Sequence, residues 1–492
     1  MGIIQQQTIK GTFYSYLGVL IGFLSLYLVQ PYVLSKEQVG LIGILTSFSI
    51  LFAQVSILGF NATARIFPYF RDPKNHDNGY LGLACLISAL GFILFCIAAY
   101  FLKDQIIQQK DSENNLFATY YWYLIPLTFF TMIFNILELY SRMLYDAIVG
   151  KILREFTLRM FVLAALLLLF FKSVSFEAFM WVWLICNIIP TGMIAIRLYK
   201  RNQLYFRPNF KFIDKPIRKQ IIQLCVFGIL TGTSPYIIQN IDKYMINEAF
   251  GLADTGVYTL AFAFAAIINL PARSLYGIAY TVIAEAWKNE NIEEIKSVYK
   301  KSCITQLITT LFLFLLIWAN IHNIYFIHPD YASGKYVIFF IGLGYLIDSA
   351  TGVNGVILAT SKFYKYDSFF NVALIGVTIG ANLIFIPPYG ITGAAIAAAV
   401  TFFIFNLVRF LFILLLFKMQ PYTYKTPLTI VTGVVVYFIV NAIPSVPNFI
   451  LDGALRLVLI TLLFGGTVYC LRLSEDINGL INNLVKRYLL KK

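Results

Sequence analysis

Four ionisable residues fall deep within stretches otherwise too oily to hold them: Glu138, Arg273, Asp348 and Arg409. A charge at mid-bilayer costs about 2.5–3.5 kcal/mol on insertion scales, so each needs a partner or a task. Two chemistries suit them. The guanidiniums of Arg273 and Arg409 are planar forks that grip phosphate oxygens two at a time. The carboxylates of Asp348 and Glu138, near the midplane, can exchange a proton or hold a sodium ion as access alternates. The blander alternatives are a structural ion pair, such as Arg409 with an acid on a neighbouring helix, or an arginine snorkelling to the headgroups.

No other motif competes with these four. The six cysteines (Cys85, Cys96, Cys186, Cys225, Cys303 and Cys470) lie in or beside apolar runs without metal-ligand spacing, and read as small buried hydrophobes. His76, His322 and His328 lie near loops. The sequence shows no zinc motif, Gly-rich phosphate loop or nucleophile elbow. No catalytic residue, metal ligand or organic cofactor is expected.

The elements that position the four charges are membrane helices. The chain has 492 residues, 59% hydrophobic and only 13% charged, where a soluble protein carries about a quarter. At about 20 apolar residues per span, about fourteen spans fit. The first begins near residue 11 and is read as an uncleaved anchor, because MGIIQQQTIKGTFYSYLGVL has no small-residue cleavage site. The +14 net charge would suit nucleic acid, but it sits in short loops between apolar spans. Anionic lipid headgroups are the simpler partner.

The most basic loop is Tyr199 to Lys219, with seven Lys or Arg and one acid, Asp214. It is read as a solvated cytoplasmic linker. With the N-terminus inside, the inner loops collect roughly five times the Lys and Arg of the outer ones, which receive only Lys36, Lys103, Lys110, Lys172, Lys335 and Arg456. Both termini are then cytoplasmic. Ala286 to Lys301 reads as amphipathic rather than spanning. So does the tail, where Ile477, Leu480, Ile481, Leu484, Val485, Tyr488 and Leu489 recur at helical spacing among Lys486, Arg487, Lys491 and Lys492.

An internal repeat organises the spans. LVQPYVLSKEQVGLIGILTSFSI, from Leu28, matches MINEAFGLADTGVYTLAFAFAAI, from Met245. Each leaves an oily span, turns past an acid (Glu37 or Asp254) and re-enters through Val-Gly or Gly-Val. YDAIVGKILREF, from Tyr145, matches VILATSKFYKYD, from Val356, aligning Lys151 with Lys362 and Arg154 with Lys365. Both matches place spans 1–6 on spans 7–12, and six being even, the halves share orientation. The expected fold is an all-α polytopic membrane protein. Two parallel six-helix lobes related by a pseudo-two-fold axis occupy 1–198 and 221–418, around the linker 199–220. Two further spans, 419–472, and a tail, 473–492, follow.

At these residues the chain resembles a known family. IIQNIDKYMINEAFGLADTGVYTLAFAF, with Asp242-Lys243 before the turn and Gly256-Val257-Tyr258 after it, resembles the seventh-to-eighth-span signature of the polysaccharide (Wzx-type) flippases. These belong to the multidrug/oligosaccharidyl-lipid/polysaccharide (MOP) superfamily. IPPYGITGAAIAAAV, from Ile386, resembles the family's turn between spans 11 and 12, and QPYVLSKEQVGLIGI fits as well. The resemblance covers essentially the whole chain. It implies a flippase of the bacterial inner membrane that moves undecaprenyl-pyrophosphate-linked oligosaccharide across the bilayer for polysaccharide or lipopolysaccharide synthesis. Glycan polymerase or assembly machinery would be its partner.

Under that reading Arg273 and Arg409 hold the pyrophosphate, and Asp348 and Glu138 couple to a proton or sodium ion. Asn354 and Asn269, among Asn61, Asn187, Asn240 and Asn382, contact the glycan; interhelical hydrogen bonding is the commoner use of such amides. The nearest rival is a cation-coupled multidrug antiporter of the same superfamily, which would favour acids and aromatics over deep arginines. An integral-membrane glycan polymerase or ligase would need a large outer loop and an acid–base constellation, and neither is found.

Overall fold

The computed structural model describes Tyr14, residues 17–107 and residues 116–489, and among them every regular element is helical. Lys10, Lys110, Lys491, Lys492 and most of the expected outer loop from Lys103 to Phe117 lie outside the described residues. The chain divides into two compact units, up to Leu260 and from Ala261.

The first unit contains α1 (Leu17–Val33), α2 (Lys36–Ser56), α3 (Tyr80–Phe101), α4 (Leu124–Met143), α5 (Leu158–Phe170), α6 (Phe176–Lys200), α7 (Lys215–Phe250) and the start of α8 (Leu252–Ile268). Helix α2 begins where the QPYVLSKEQVG motif turns. Ser35 Oγ accepts from the Gln38 backbone N–H at 3.3 Å and Gln38 Oε1 from the Ser35 N–H at 3.0 Å, a reciprocal cap. The turn motifs then meet. A Cβ on Gly40 would lie 2.0 Å from the Leu252 carbonyl oxygen, and one on Gly256 would lie 2.1 Å from that of Lys36. The Val-Gly and Gly-Val pairs of the repeat therefore let α2 and α8 touch backbone to backbone.

Helix α7 is capped by Asp214, whose Oδ1 accepts from the Ile217 N–H at 2.8 Å. At 36 residues it rises about 54 Å, more than the roughly 30 Å of hydrocarbon, so its basic start projects beyond the bilayer. The linker before it is not simply a solvated loop. Tyr205 stacks on His76 with ring centres 4.5 Å apart, and Gly79, at φ +72°, has room for no side chain against the Asn209 backbone. His76, Asp77 and Asn78 also adopt positive φ, and buried Asp77 is held by the Tyr140 hydroxyl at 2.6 Å. Periodicity cannot foresee such a turn, because the residues that hold it are far apart in the chain.

The second unit contains the rest of α8, then α9 (Leu270–Lys288), α10 (Ile292–Ala319), α11 (Lys335–Ala350), α12 (Asn354–Thr360), α13 (Tyr364–Phe417), α14 (Lys425–Ala442), α15 (Phe449–Ile460) and the tail helix α16 (Glu475–Leu489). Helices α8 and α9 bend by 57° at Asn269, just before Pro271, which lacks the N–H a continuous helix needs. Ala286 to Lys301 is not a separate amphipathic helix. It is the end of α9, a turn through Glu290 at φ +54°, and the start of α10 capped by Asn291. Its Ala286, Ile295 and Tyr299 are fully buried in the core with Ile283, Ile357 and Ile413.

By length and composition, nine helices among the described residues can cross a membrane, or up to eleven if each bent pair is one span. Helix α13 has 54 residues, far more than one crossing needs, and breaks at Gly390 (φ +59°) in the IPPYG turn. The other expected spans fall on the shorter α1 and α5.

Candidate functional site

The α8–α9 break places Asn269 and Arg273 one turn apart on one helix face. Asn269 is buried and its Oδ1 has no hydrogen-bond partner among the described residues. Arg273 is exposed and joins no ion pair among the described residues.

Helix α9 also carries Tyr276, whose hydroxyl donates to Asp348 Oδ2 on α11 at 3.1 Å. The Asn406 Nδ2 on α13 donates to Asp348 Oδ1 at 3.0 Å. Asn406 Oδ1 in turn accepts from Thr351 Oγ1 at 2.8 Å and from Asn354 Nδ2 at 2.9 Å. Asn354 is thus occupied inside the protein, as interhelical amides commonly are.

One turn beyond Asn406, the Arg409 Nη2 and Nε lie 2.7 and 2.9 Å from Asp367 Oδ1, with both side chains almost buried. The Arg409 guanidinium stacks on Phe405, 3.8 Å from the ring centre. Asn371 Nδ2 donates to Asp367 Oδ2 at 3.3 Å. Asp348, Asp367 and Arg409 thus set two carboxylates against one guanidinium, and the guanidinium is committed to Asp367. Asp348 has hydrogen-bond donors but no cation within ion-pair distance among the described residues. That is the electrostatic setting in which a carboxylate takes a proton or a cation.

In the first unit, Glu138 on α4 lies 3.1 Å from Arg154, which also bonds Asn135 and stacks on Phe134 at 4.8 Å. Gly150 packs on the Glu138 side chain, where a Cβ would lie 2.2 Å from its Cγ. Glu138 therefore has a partner from the following segment, whereas Asp348 meets neutral donors. Asn187 and Asn240 donate to carbonyls of their own helices, and Asn382 is buried with both side-chain polar atoms unpartnered among the described residues.

Three groupings escaped the sequence reading. Buried Asp242 accepts from the Tyr258 hydroxyl, and its neighbour Lys243 reaches Ser47 Oγ at 3.1 Å. The Asp242-Lys243 pair stands out in an apolar span, but Ser47 is 196 residues away. Tyr276 and Asn406 look like any polar residues of a span; only the i,i+3 spacing of Asn406 and Arg409 hints that they share a face.

The third grouping corrects an assignment. Arg456 is not an outer-loop cation: it is buried inside α15, donating from Nε to Asp452 at 2.7 Å and from Nη1 to the Val440 carbonyl at 3.1 Å. Asn323 and His322 complete the shell of Asp452 at 2.6 and 3.0 Å. Among the cysteines, Cys186 and Cys303 are buried as expected, and Cys470 is exposed.

No protein-family model matches the chain, and no curated protein sequence matches it. Solved structures do. The lipid II flippase MurJ in an inward closed conformation superposes with a TM-score of 0.72 at 15% identity, covering 94% of this chain and 99% of its own. A multidrug resistance MATE transporter of the MOP superfamily, inward-facing, gives 0.63 at 15% identity, covering 82% and 93%. A MOP superfamily transporter from Pyrococcus furiosus, described by the reverse polarity of its binding pocket, gives 0.53 at 14% identity, covering 82% and 92%. At such identities the likeness is one of architecture: the chain has the fold of these multi-pass membrane proteins.

Proposed function

We propose that the protein is a flippase that carries lipid-linked oligosaccharide across the bacterial inner membrane by alternating access. The observation that carries this reading is Arg273: an exposed guanidinium without an ion-pair partner among the described residues, directly after a bend in an apolar helix pair. A deep arginine without an internal acid suits an anionic ligand better than a cationic drug. In this scheme Arg273 grips the pyrophosphate and Arg409 buttresses the site through Asp367. Asn269 offers its open acceptor to a sugar hydroxyl, and Asp348 takes the coupling proton or sodium ion. The scheme takes two six-helix lobes, 1–198 and 221–418, and cytoplasmic termini from the sequence repeat and the charge bias.

The test is reconstitution into vesicles with undecaprenyl-pyrophosphate-linked glycan, read by accessibility of the glycan from each leaflet. Arg273→Ala should lower binding of the lipid pyrophosphate roughly ten- to a hundredfold, the loss of one charge-assisted contact, while Arg273→Lys retains part of it. A neutral glycolipid should be affected much less. Export of cationic dyes with no movement of lipid-linked glycan would overturn the flippase reading in favour of the multidrug one.

A further inference from the structure

Away from the Asp348 network, Lys300 to Thr305 of α10, the start of α14 and the start of the tail helix α16 border an open pocket of about 180 Å³. It carries both signs of charge. Lys300, Lys301 and Lys425 bring three ammonium groups, and Glu475 and Asp476 bring two carboxylates. The internal ties among them are loose. Lys301 Nζ lies 3.6 Å from Glu475 Oε2, with both side chains more than half exposed. Lys425 Nζ donates to the Arg472 carbonyl at 3.0 Å, and Asp476 accepts from Thr305 Oγ1 at 3.4 Å. Beneath them the buried Ser474 hydroxyl meets Thr305 Oγ1 at 2.9 Å, which fixes the tail helix against α10.

The depth of the pocket follows from the helices around it. The apolar stretch of α10 and helix α14 begin here, and the segment Phe449–Cys470 ends just before it, all three helices being long and apolar enough to cross a membrane. Three membrane helices end at one level only where hydrocarbon gives way to headgroups. The exposed side chains beside the pocket agree: Tyr424 is 76% exposed, Leu480 61% and Leu471 50%. An amphipathic ring next to bare leucines is the pattern of the interfacial layer.

We propose that this pocket binds the headgroup of a zwitterionic phospholipid, one that carries a phosphodiester and a primary ammonium. The phosphate oxygens accept from Lys300 and Lys425, and the ligand ammonium donates to Glu475 and Asp476. The mixed charge selects this class. Lys301 answers Glu475, so a purely anionic headgroup would leave Asp476 facing its phosphate without a counter-charge. A trimethylated ammonium has no N–H to give them. Free phosphoethanolamine has the same chemistry, but the interfacial depth favours the lipid. Such a lipid would clamp the tail helix to α10 and α14, so its site would act on the membrane seating of the second unit and not on the transported substrate.

The test uses the full-length protein in nanodiscs made from equal parts of ethanolamine, choline and glycerol phospholipids. Lipid retained after extraction into detergent is counted by mass spectrometry. The parent should hold the ethanolamine lipid about tenfold over either other class, the worth of one charge-assisted hydrogen bond. Lys300→Gln with Lys425→Gln should remove the enrichment. Glu475→Gln with Asp476→Asn should turn the preference toward the glycerol headgroup. Lys300, Glu475 and Asp476 are exposed and Lys425 is half-buried, so both variants should still fold, read as unchanged helical content and a monodisperse elution in detergent. Equal retention of the three lipids by the parent, or a preference for the glycerol lipid, would overturn the proposal. Full displacement of the lipid by millimolar free phosphoethanolamine would instead make the ligand a soluble one and overturn the membrane assignment.

Discussion

Truncating Arg409 separates two uses of a deep arginine. Its Nη2 and Nε both lie within 3 Å of Asp367 Oδ1, on side chains 13% and 11% exposed. Breaking such a pair from one side leaves an uncompensated charge in low dielectric, at about 3–5 kcal/mol. Stacking on Phe405 adds a cation–π contribution of about 1–2 kcal/mol that leaves with the guanidinium. Arg409→Ala should therefore destabilise the protein by about 4–7 kcal/mol and Asp367→Ala, which keeps the stacked guanidinium, by about 3–5 kcal/mol. The double variant should fall short of their sum by about 2–3 kcal/mol, because neither charge is then stranded. Asp367→Asn should lie between, since its carbonyl still accepts from Nε. The assay is equilibrium unfolding in detergent micelles with increasing SDS, followed by tryptophan fluorescence. A stable Arg409→Ala variant that loses lipid-pyrophosphate binding would refute the buttress and make Arg409 a direct ligand of the headgroup.

Three further outcomes are expected. Asp348→Ala should abolish transport while the protein still inserts and folds; Asp348→Asn should be as poor if the carboxylate exchanges a cation, and near-normal flux in the Ala variant at equal expression would remove Asp348 from the mechanism. Gly256→Ala, whose Cβ would lie 2.1 Å from the Lys36 carbonyl oxygen, should cost about 1–3 kcal/mol by overpacking; Gly277→Ala meets nothing within 4 Å and should be neutral or mildly stabilising, so equal effects in thermal unfolding would disprove the α2–α8 close approach. In a cysteine-free background, Lys211→Cys should resist an impermeant thiol reagent in intact cells and Tyr389→Cys should label, and the reverse result would invert the topology.

What the sequence discloses depends on how far apart cause and effect lie along the chain. The α8–α9 bend is caused by Pro271 and falls two residues away, so it is legible. The break in α13 is equally local: Pro387 and Pro388 precede Gly390, the one residue type that adopts its positive φ without strain. The reciprocal Gly40–Gly256 contact was half visible. The Val-Gly and Gly-Val pairs marked two matching turns, but nothing in either segment says that they touch. The error at Arg456 was avoidable, because Asp452 stands four residues before it on the same helix face, and that spacing is the ordinary sign of a pair.

The partners of the deep charges were not legible, and the reason bears on mechanism. Asp348 meets Tyr276, 72 residues earlier, and Asn406, 58 residues later. In a bilayer every oily span looks alike to a pattern search, so a polar residue reports that it needs a partner without saying which. The sequence therefore ranked Arg273 and Arg409 together, as two deep arginines of one kind. Their surroundings divide them. Arg409 shares its charge with Asp367 and draws α13 back on itself, whereas Arg273 stands exposed at a helix break, beside an Asn269 oxygen unpartnered among the described residues. A site that must bind and then release an anion needs one cation free to bind and a second that holds the helices in place. That division of labour, not the count of arginines, is what makes Arg273 the residue on which an anionic substrate should depend.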